Sequence, residues 1–458
     1  MRKFFCLLLF PFSLFAQSKH ITLMDSLMQA QVTVNKFNGN VLVAKSGEIL
    51  YQKAFGYRNY TTKETLDNNS VFDLASVSKQ FTAMAILLLK EKGKLQLSDS
   101  LRKFFPALPY TNVTIRQLLT HTSGIPDYED AMNQKWDRKK IAFNSDLIQF
   151  LATEKIPFLF LPGQRWAYSN TGYALLASIV EKVSAVPFGQ YMKDNIFSPL
   201  GMTNTRIYNT RRSTKDVIPN YAYGFVFSES QNKYVLPDSV TALDFVRYLD
   251  GVVGDGVVNS TTGDLLKWDR ALKNNRLLPE ATQREQLSGH ALADSIQLMS
   301  YGYGIMVLKN KFGTNLAHPG GWPGYVTFMN RVVEDDLTII VLSNNGSSSP
   351  TVSNQLLHIV KNEPVIFPYL HKEVKIDTSV LNKFQGKYVG ISIIELKVVN
   401  GKLYRRGGRD IELKPESADK FFYADGSDRQ IQFEMGAGGV EKAWIISGGI
   451  KSELKKIQ

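Results

Sequence analysis

Apolar and polar positions fall into successive patterns along the chain. Residues 40–45 and 49–55 are apolar-rich runs separated by Ser46, Gly47 and Glu48, which predicts a β-hairpin. A helical middle follows. Residues 75–92 are rich in helix formers and close at Gly93, while 114–121 and 172–183 look helical, each with a glycine or proline nearby to stop it. Strand character returns at 303–308, 325–333 and 337–343, where β-branched and aromatic residues concentrate, and 351–361 predicts a closing helix. Hairpins at both ends of a helical middle predict an α+β fold, with an antiparallel sheet built from the two chain ends and covered by helices.

The pattern then changes. Residues 363–378 carry Pro364 and Pro368 without a clear period and read as a linker. Short strands follow at 386–390, 393–399, 403–406, 410–413, 420–424, 430–435 and 440–446, with Asn400-Gly401 as a hairpin turn. They predict a small all-β sandwich or barrel. At the other end, Arg2 and Lys3 precede a mostly apolar run, 4–15, and then Ala16-Gln17. This is the form of a secretory signal peptide, and the run is too short for an ordinary membrane span. The alternative is an uncleaved anchor. The expected division is therefore a signal peptide at 1–16, a large domain at 17–362, the linker at 363–378 and a β-domain at 379–458. The expected location is periplasmic or extracellular, with no transmembrane segment once the signal is removed.

Composition narrows the chemistry. With 44% hydrophobic and 21% charged residues among 458, the chain has an ordinary globular balance. Its single cysteine, Cys6, lies in the leader. A cleaved product would hold no disulfide framework, no zinc–cysteine site and no thiol nucleophile. The net charge is +12, but the basic residues are scattered. Short clusters such as Arg138-Lys139-Lys140 have acids nearby and read as solvated faces, so nucleic acid is not an expected partner. The six histidines show no metal-ligand spacing. G-x-S-x-G, G-x-x-x-x-G-K-[ST] and G-x-G-x-x-G are all missing from the sequence. Nucleotide binding is therefore not indicated.

What remains is the spacing Ser-x-x-Lys. A serine hydroxyl is a poor nucleophile until a base takes its proton, and lysine can be that base where desolvation lowers its pKa. Residues three apart share a helix face, and a helix N-terminus offers free N–H groups to an oxyanion. The spacing occurs five times, beginning at Ser76, Ser100, Ser230, Ser417 and Ser452. Chance accounts for the four in polar or turn-like sequence. Ser76-Val77-Ser78-Lys79 alone follows an apolar lead and opens a long apolar helix, where a lysine would point into the core unless it had work there. Ser78 would face elsewhere and is expected to be structural.

Two further segments can complete such a site. Tyr168-Ser169-Asn170 would aim a phenol and a carboxamide to one side of an extended loop, the phenol serving as a second proton carrier. The plainer reading of Tyr168 is a buried aromatic with a satisfied hydroxyl. In His318-Pro319-Gly320-Gly321, paired glycines let the backbone approach a ligand, and the N–H groups of Gly321 and Ser76 are candidates for an oxyanion hole. The plainer reading is a Gly/Pro turn joining two strands, with His318 an ordinary turn residue.

Taken in order, these segments resemble the motifs of the serine β-lactamase and penicillin-binding hydrolase superfamily: S-x-x-K, then Y-x-N, then K-T-G or H-x-G. The likeness is to the branch of class C β-lactamases, DD-carboxypeptidases, D-aminopeptidases and esterases, and it covers about residues 20–362. Residues 114–124 and 254–260 look familial too. The resemblance implies an antiparallel sheet flanked by helices, with a helical subdomain. It implies acylation of Ser76, proton movement by Lys79 and Tyr168, and substrate binding by Asn170, His318, Gly320 and Gly321, without a cofactor. Pro319 lacks the hydroxyl that often helps bind a substrate carboxylate in this family, and His318 replaces a fixed positive charge. Both departures favour an esterase or a D-amino-acid peptidase or amidase over a β-lactamase, acting on a small-molecule or peptide substrate. The alternatives are a catalytically weak penicillin-binding-like sensor or ligand-binding protein, and a protein whose β-domain is a ligand carrier. Residues 381–446 resemble the small lipocalin-like β-domain often appended to these hydrolases.

Overall fold

The computed structural model describes residues 12–209, 217–295, 298–390, 392–437 and 439–457. The expected signal peptide, 1–16, therefore lies mostly outside the described residues. Among those described, no helix is long and apolar enough to cross a membrane. The chain divides into two compact units, Phe37–Ser353 and a second made of Met1–Lys36 with Asn354–Gln458.

The first unit is built on an eight-stranded antiparallel sheet. The N-terminal hairpin pairs β1 (Gly39–Lys45) with β2 (Glu48–Phe55) around Ser46 and Gly47. Both turn residues have positive φ, as the tight two-residue turn of a twisted hairpin requires. The remaining strands are β3 (Ala291–Asp294), β4 (Met299–Tyr301), β5 (Met306–Asn310), β6 (Gly313–Trp322), β7 (Tyr325–Val332) and β8 (Leu337–Ser343). Their order is β3-β4-β5-β6-β7-β8-β1-β2. Pairing of β1 with β8, from Gly39 opposite Ser343 to Lys45 opposite Leu337, closes the two chain ends into one sheet. Every residue of β8, Leu-Thr-Ile-Ile-Val-Leu-Ser, is buried, which marks a central strand covered on both faces.

The helical middle supplies α2 (Lys79–Glu91), α3 (Asn170–Ser184) and α4 (Thr262–Lys273). In α2, every residue from Lys79 to Leu89 is buried. The expected helix at 114–121 is shorter, Ile115–Leu119, and is set by a capping box between Thr114 and Gln117. The expected strand at 303–308 begins only at Met306. Gly302 and Gly304 keep the chain from extending earlier. Gly304 has positive φ and lies so near Lys79 and Gln80 that a Cβ would press on their backbone. The Gly/Pro turn reading of 318–321 also fails, because these residues lie inside β6, with His318 opposite Met329 and Gly321 opposite Val326. The neighbouring strand β5 pairs with β6 only as far as Ala317, which leaves one edge of the motif unpaired by β5.

The second unit contains α1 (Phe12–Val34), the end of α5 (Ser349–Val360) and a closed eight-stranded antiparallel barrel. The barrel strands are β9 (Gly386–Val389), β10 (Ile393–Val399), β11 (Lys402–Arg406), β12 (Ile411–Pro415), β13 (Lys420–Tyr423), β14 (Gln430–Gly436), β15 (Gly439–Ser447) and β16 (Ile450–Lys456). The last one escaped the sequence pattern because, in Ile-Lys-Ser-Glu-Leu-Lys-Lys, only Leu454 is buried. Side chains fill the interior: Phe384, Tyr388, Phe421 and Phe433 pack there with Leu396, Leu403 and Leu413. The ring centroids of Phe384 and Phe433 are 4.5 Å apart. A barrel packed in this way argues against a ligand carrier.

Candidate active site

Three segments converge on a cavity of about 400 Å³ in the first unit. The first is the turn before α2. Short strands Phe72–Asp73 and Val258–Ser260 pair there, and Asp73 Oδ1 accepts a hydrogen bond from the Ala75 N–H at 2.8 Å. Ala75 is held at φ +47°, a conformation that residues other than glycine rarely adopt. Residues Ala75–Ser78 form a 3₁₀ turn, and the α-helix starts only at Lys79. Ser76 lines the cavity. Ser78 is buried and accepts the Val258 N–H at 3.0 Å, a structural contact.

Lys79 is fully buried. Its Nζ lies 3.1 Å from Ser76 Oγ and donates to Asn170 Oδ1 at 2.8 Å and to the Asp255 carbonyl at 2.7 Å. It also stands 4.9 Å from the centroid of the Tyr168 ring. Tyr168 and Asn170 both line the cavity. Ser169, extended between them, caps α3 by accepting the Gly172 N–H, so Asn170 is the first helical residue. The carboxamide of Asn170 is used at both ends, since its Nδ2 donates to Glu129 Oε1 at 3.1 Å.

The third segment divides. Gly321 lines the cavity, and the space around its Cα is open. Gly320 packs instead against the turn bearing Ser76. A Cβ there would collide with the Leu74 carbonyl and the Thr327 hydroxyl, which are themselves bonded at 2.7 Å. His318 is fully buried and is not among the described residues lining the cavity. Its Nε2 lies 2.8 Å from the Tyr301 hydroxyl, and its Nδ1 lies 2.7 Å from the Pro319 carbonyl. Both contacts form at once when the Tyr301 O–H donates to Nε2 and Nδ1–H donates to the carbonyl. Burial, with Lys79 nearby, lowers the His318 pKa to about 3. The imidazole is therefore neutral near pH 7.

Sequence reasoning did not single out the acidic wall of this cavity. Glu129 and Asp255 line it, together with Asp73, and no lysine or arginine is found among its described lining residues. The Glu129 carboxyl is pushed up to about 8 by burial and by the charges of Asp127 and Asp255, with Lys79 opposing. Burial raises Asp255 as well, and the Tyr128 hydroxyl donates to its Oδ2 at 3.0 Å. The lining also has an apolar group, Phe245, Leu249, Val252, Trp322 and Pro323. Phe245 and Trp322 meet edge to face at 5.4 Å.

A buried lysine on a serine, a tyrosine beside both and a glycine-bearing strand opposite are the arrangement of a serine hydrolase of the β-lactamase type. Residues 24–360 match the family model described as Beta-lactamase. The chain belongs to that family and is a hydrolase of this class, similar to penicillin-binding proteins. It is 38% identical over 431 residues to penicillin-binding protein 4* of Bacillus subtilis, a match that covers 92% of this chain and 95% of that protein. Its fold is similar to the octameric penicillin-binding protein homologue from Pyrococcus abyssi, with a TM-score of 0.67 at 24% identity over 95% of this chain and all of that one (100%). It is also similar to the D-amino acid amidase from Ochrobactrum anthropi complexed with D-phenylalanine, with a TM-score of 0.62 at 23% identity, covering 76% and 99% of the two chains.

Proposed function

We propose that this protein hydrolyses amides or esters of amino acids or short peptides of D configuration through an acyl-enzyme on Ser76. The observation that carries the reading is the placement of Lys79 Nζ, buried, 3.1 Å from Ser76 Oγ and held by Asn170 Oδ1 and the Asp255 carbonyl. Ser76 Oγ attacks the carbonyl carbon while its proton passes to the Lys79–Tyr168 pair. The N–H groups of Ser76 and Gly321 receive the developing oxyanion. The bond to the leaving group breaks as the proton is delivered to its nitrogen or oxygen. Water then attacks the acyl ester and gives a proton to the same pair, which delivers it to Ser76 Oγ as the acyl C–O bond to the serine breaks.

The cavity walls support the substrate class. Glu129 offers a carboxyl to a substrate ammonium, and Phe245 and Trp322 offer aromatic edges to an apolar side chain. His318 is neutral, and no lysine or arginine lines the cavity among described residues, so the site supplies little fixed positive charge to read a carboxylate. D configuration is taken from fold neighbours described as D-amino acid amidases. Export across the inner membrane belongs to the same reading and rests on the leader alone. The test combines a fluorophosphonate probe and labelled penicillin with D-amino-acid anilides, p-nitrophenyl esters and nitrocefin. Wild type should form an adduct at Ser76 and turn over the anilides or esters, while Ser76→Ala and Lys79→Ala should not. No adduct and no turnover would point to the sensor alternative and overturn the proposal.

A further inference from the structure

Behind Tyr168 lies a buried histidine to which the mechanism gives no task. His121 is only 1% exposed. Its carbonyl accepts the Ala167 N–H at 3.0 Å, and its Nδ1 accepts the Ser169 N–H at 3.1 Å. The two backbone groups flanking Tyr168 are thus both held by one residue. The imidazole also packs on the Tyr168 ring, with centroids 4.4 Å apart, and rests on Tyr301 at 4.5 Å. Its conformation is unusual, with φ at +58°. Because Nδ1 is the acceptor, the ring proton sits on Nε2, which has no hydrogen-bonding partner among the described residues. An apolar side chain in this space would remove the unpartnered Nε2–H. What it could not supply is the acceptor for the Ser169 N–H.

We propose that His121 is a positioning residue for Tyr168: by holding the peptide groups on both sides of that residue and packing on its ring, it fixes the phenol relative to Ser76 and Lys79. The inference rests on the reading of Tyr168 as a proton carrier. Burial and the nearby Lys79 and His318 keep the imidazole neutral, so that Nδ1 remains an acceptor. The residue works through geometry and transfers no proton itself.

The test measures kcat and KM for p-nitrophenyl acetate in wild type, His121→Phe, His121→Asn, Tyr168→Phe and the two double variants. Phenylalanine keeps a ring but removes the acceptor. Asparagine places an oxygen near the position of Nδ1 and tolerates the left-handed backbone. His121→Phe should lower kcat on the order of 10²-fold, as expected for a misplaced catalytic group, with KM changed less than about threefold. His121→Asn should recover most of that loss. In the Tyr168→Phe background, His121→Phe should cost less than about threefold, because the group it positions is gone. An undiminished kcat in folded His121→Phe overturns the inference, as does an equal loss in both backgrounds. If Tyr168→Phe alone leaves kcat intact, the role of Tyr168 fails first and the inference falls with it. If phenylalanine at φ +58° prevents folding, His121→Gly removes the acceptor without that strain and carries the same expectations.

Discussion

Glu129→Gln gives the acidic wall a quantitative test. The substitution keeps the size of the side chain and an oxygen to accept from Asn170 Nδ2, and it removes only the ionisable group. In the folded protein, burial and the neighbouring carboxylates raise Glu129 from 4.5 to about 8. At about 1.4 kcal/mol per pKa unit, that displacement amounts to at most about 5 kcal/mol. Sharing of the repulsion with Asp127 and Asp255, and the high effective dielectric of real sites, reduce the expected effect to about 2–4 kcal/mol. The sign follows from linkage. A carboxyl whose folded pKa is raised favours the folded state while it is protonated, below its unfolded pKa, and loses that contribution as pH rises through the folded pKa. Wild-type stability should therefore fall between about pH 4.5 and 8, and Glu129→Gln should abolish part of the fall. Scanning calorimetry at pH 5 and pH 9 checks this. The variant should melt about 4–8 °C above wild type at pH 9 and close to it at pH 5. Binding supplies a second readout. An ammonium ligand must draw a proton off Glu129 near pH 7, so calorimetric titration with D-phenylalanine amide should release protons to buffer in wild type and fewer in the variant. A variant no more stable than wild type at pH 9, or equally stabilised at pH 5, would refute the electrostatic account of this wall.

Other outcomes follow from single contacts. Gly320→Ala forces a methyl group onto the Leu74 carbonyl and the Thr327 hydroxyl. It should destabilise the first unit by about 1–3 kcal/mol or more and slow adduct formation at Ser76, read by calorimetry and by probe labelling. His318 takes up a proton only near pH 3 in the folded state. Its contribution to stability is therefore lost as pH falls from about 6.5 towards 3, with a slope of up to about 1.4 kcal/mol per pH unit. His318→Gln should shallow the acid limb of the stability profile by about that amount. Phe433→Ala empties the centre of the barrel and should cost about 3–5 kcal/mol. The loss should appear as faster hydrogen exchange in β9–β16.

Much of the fold was legible because its signals are local. The Ser46–Gly47 hairpin, the mostly apolar β8 and most barrel strands announce themselves over a few residues, and the order of the three motifs identifies their partners across the chain. Ser76 and Lys79 stand out because a lysine opening an otherwise apolar helix contradicts the pattern around it. Where the pattern failed, a distant contact had overridden a local preference. Residues 303–305 have strand composition, yet Gly304 must pass close to the backbone of α2, and β5 starts later. Residues 318–321 have turn composition, yet β7 pairs them into a strand.

The acidic wall was illegible for a deeper reason. Pro126-Asp127-Tyr128-Glu129-Asp130 reads as a polar turn followed by a helix start, and Asp127 does cap a short helix. Its electrostatic meaning arises only when Tyr128 meets Asp255, 127 residues later. The other tie between these segments and Lys79 is the backbone carbonyl of Asp255, a group every residue carries, so no side-chain motif could have announced it. His121 lies in the familial stretch 114–124, yet nothing in that stretch shows that its carbonyl and its Nδ1 serve the N–H groups of Ala167 and Ser169. The chemistry of this site can be found from side-chain spacing, whereas its positioning is done largely by peptide groups, and only the folded chain shows which of them meet.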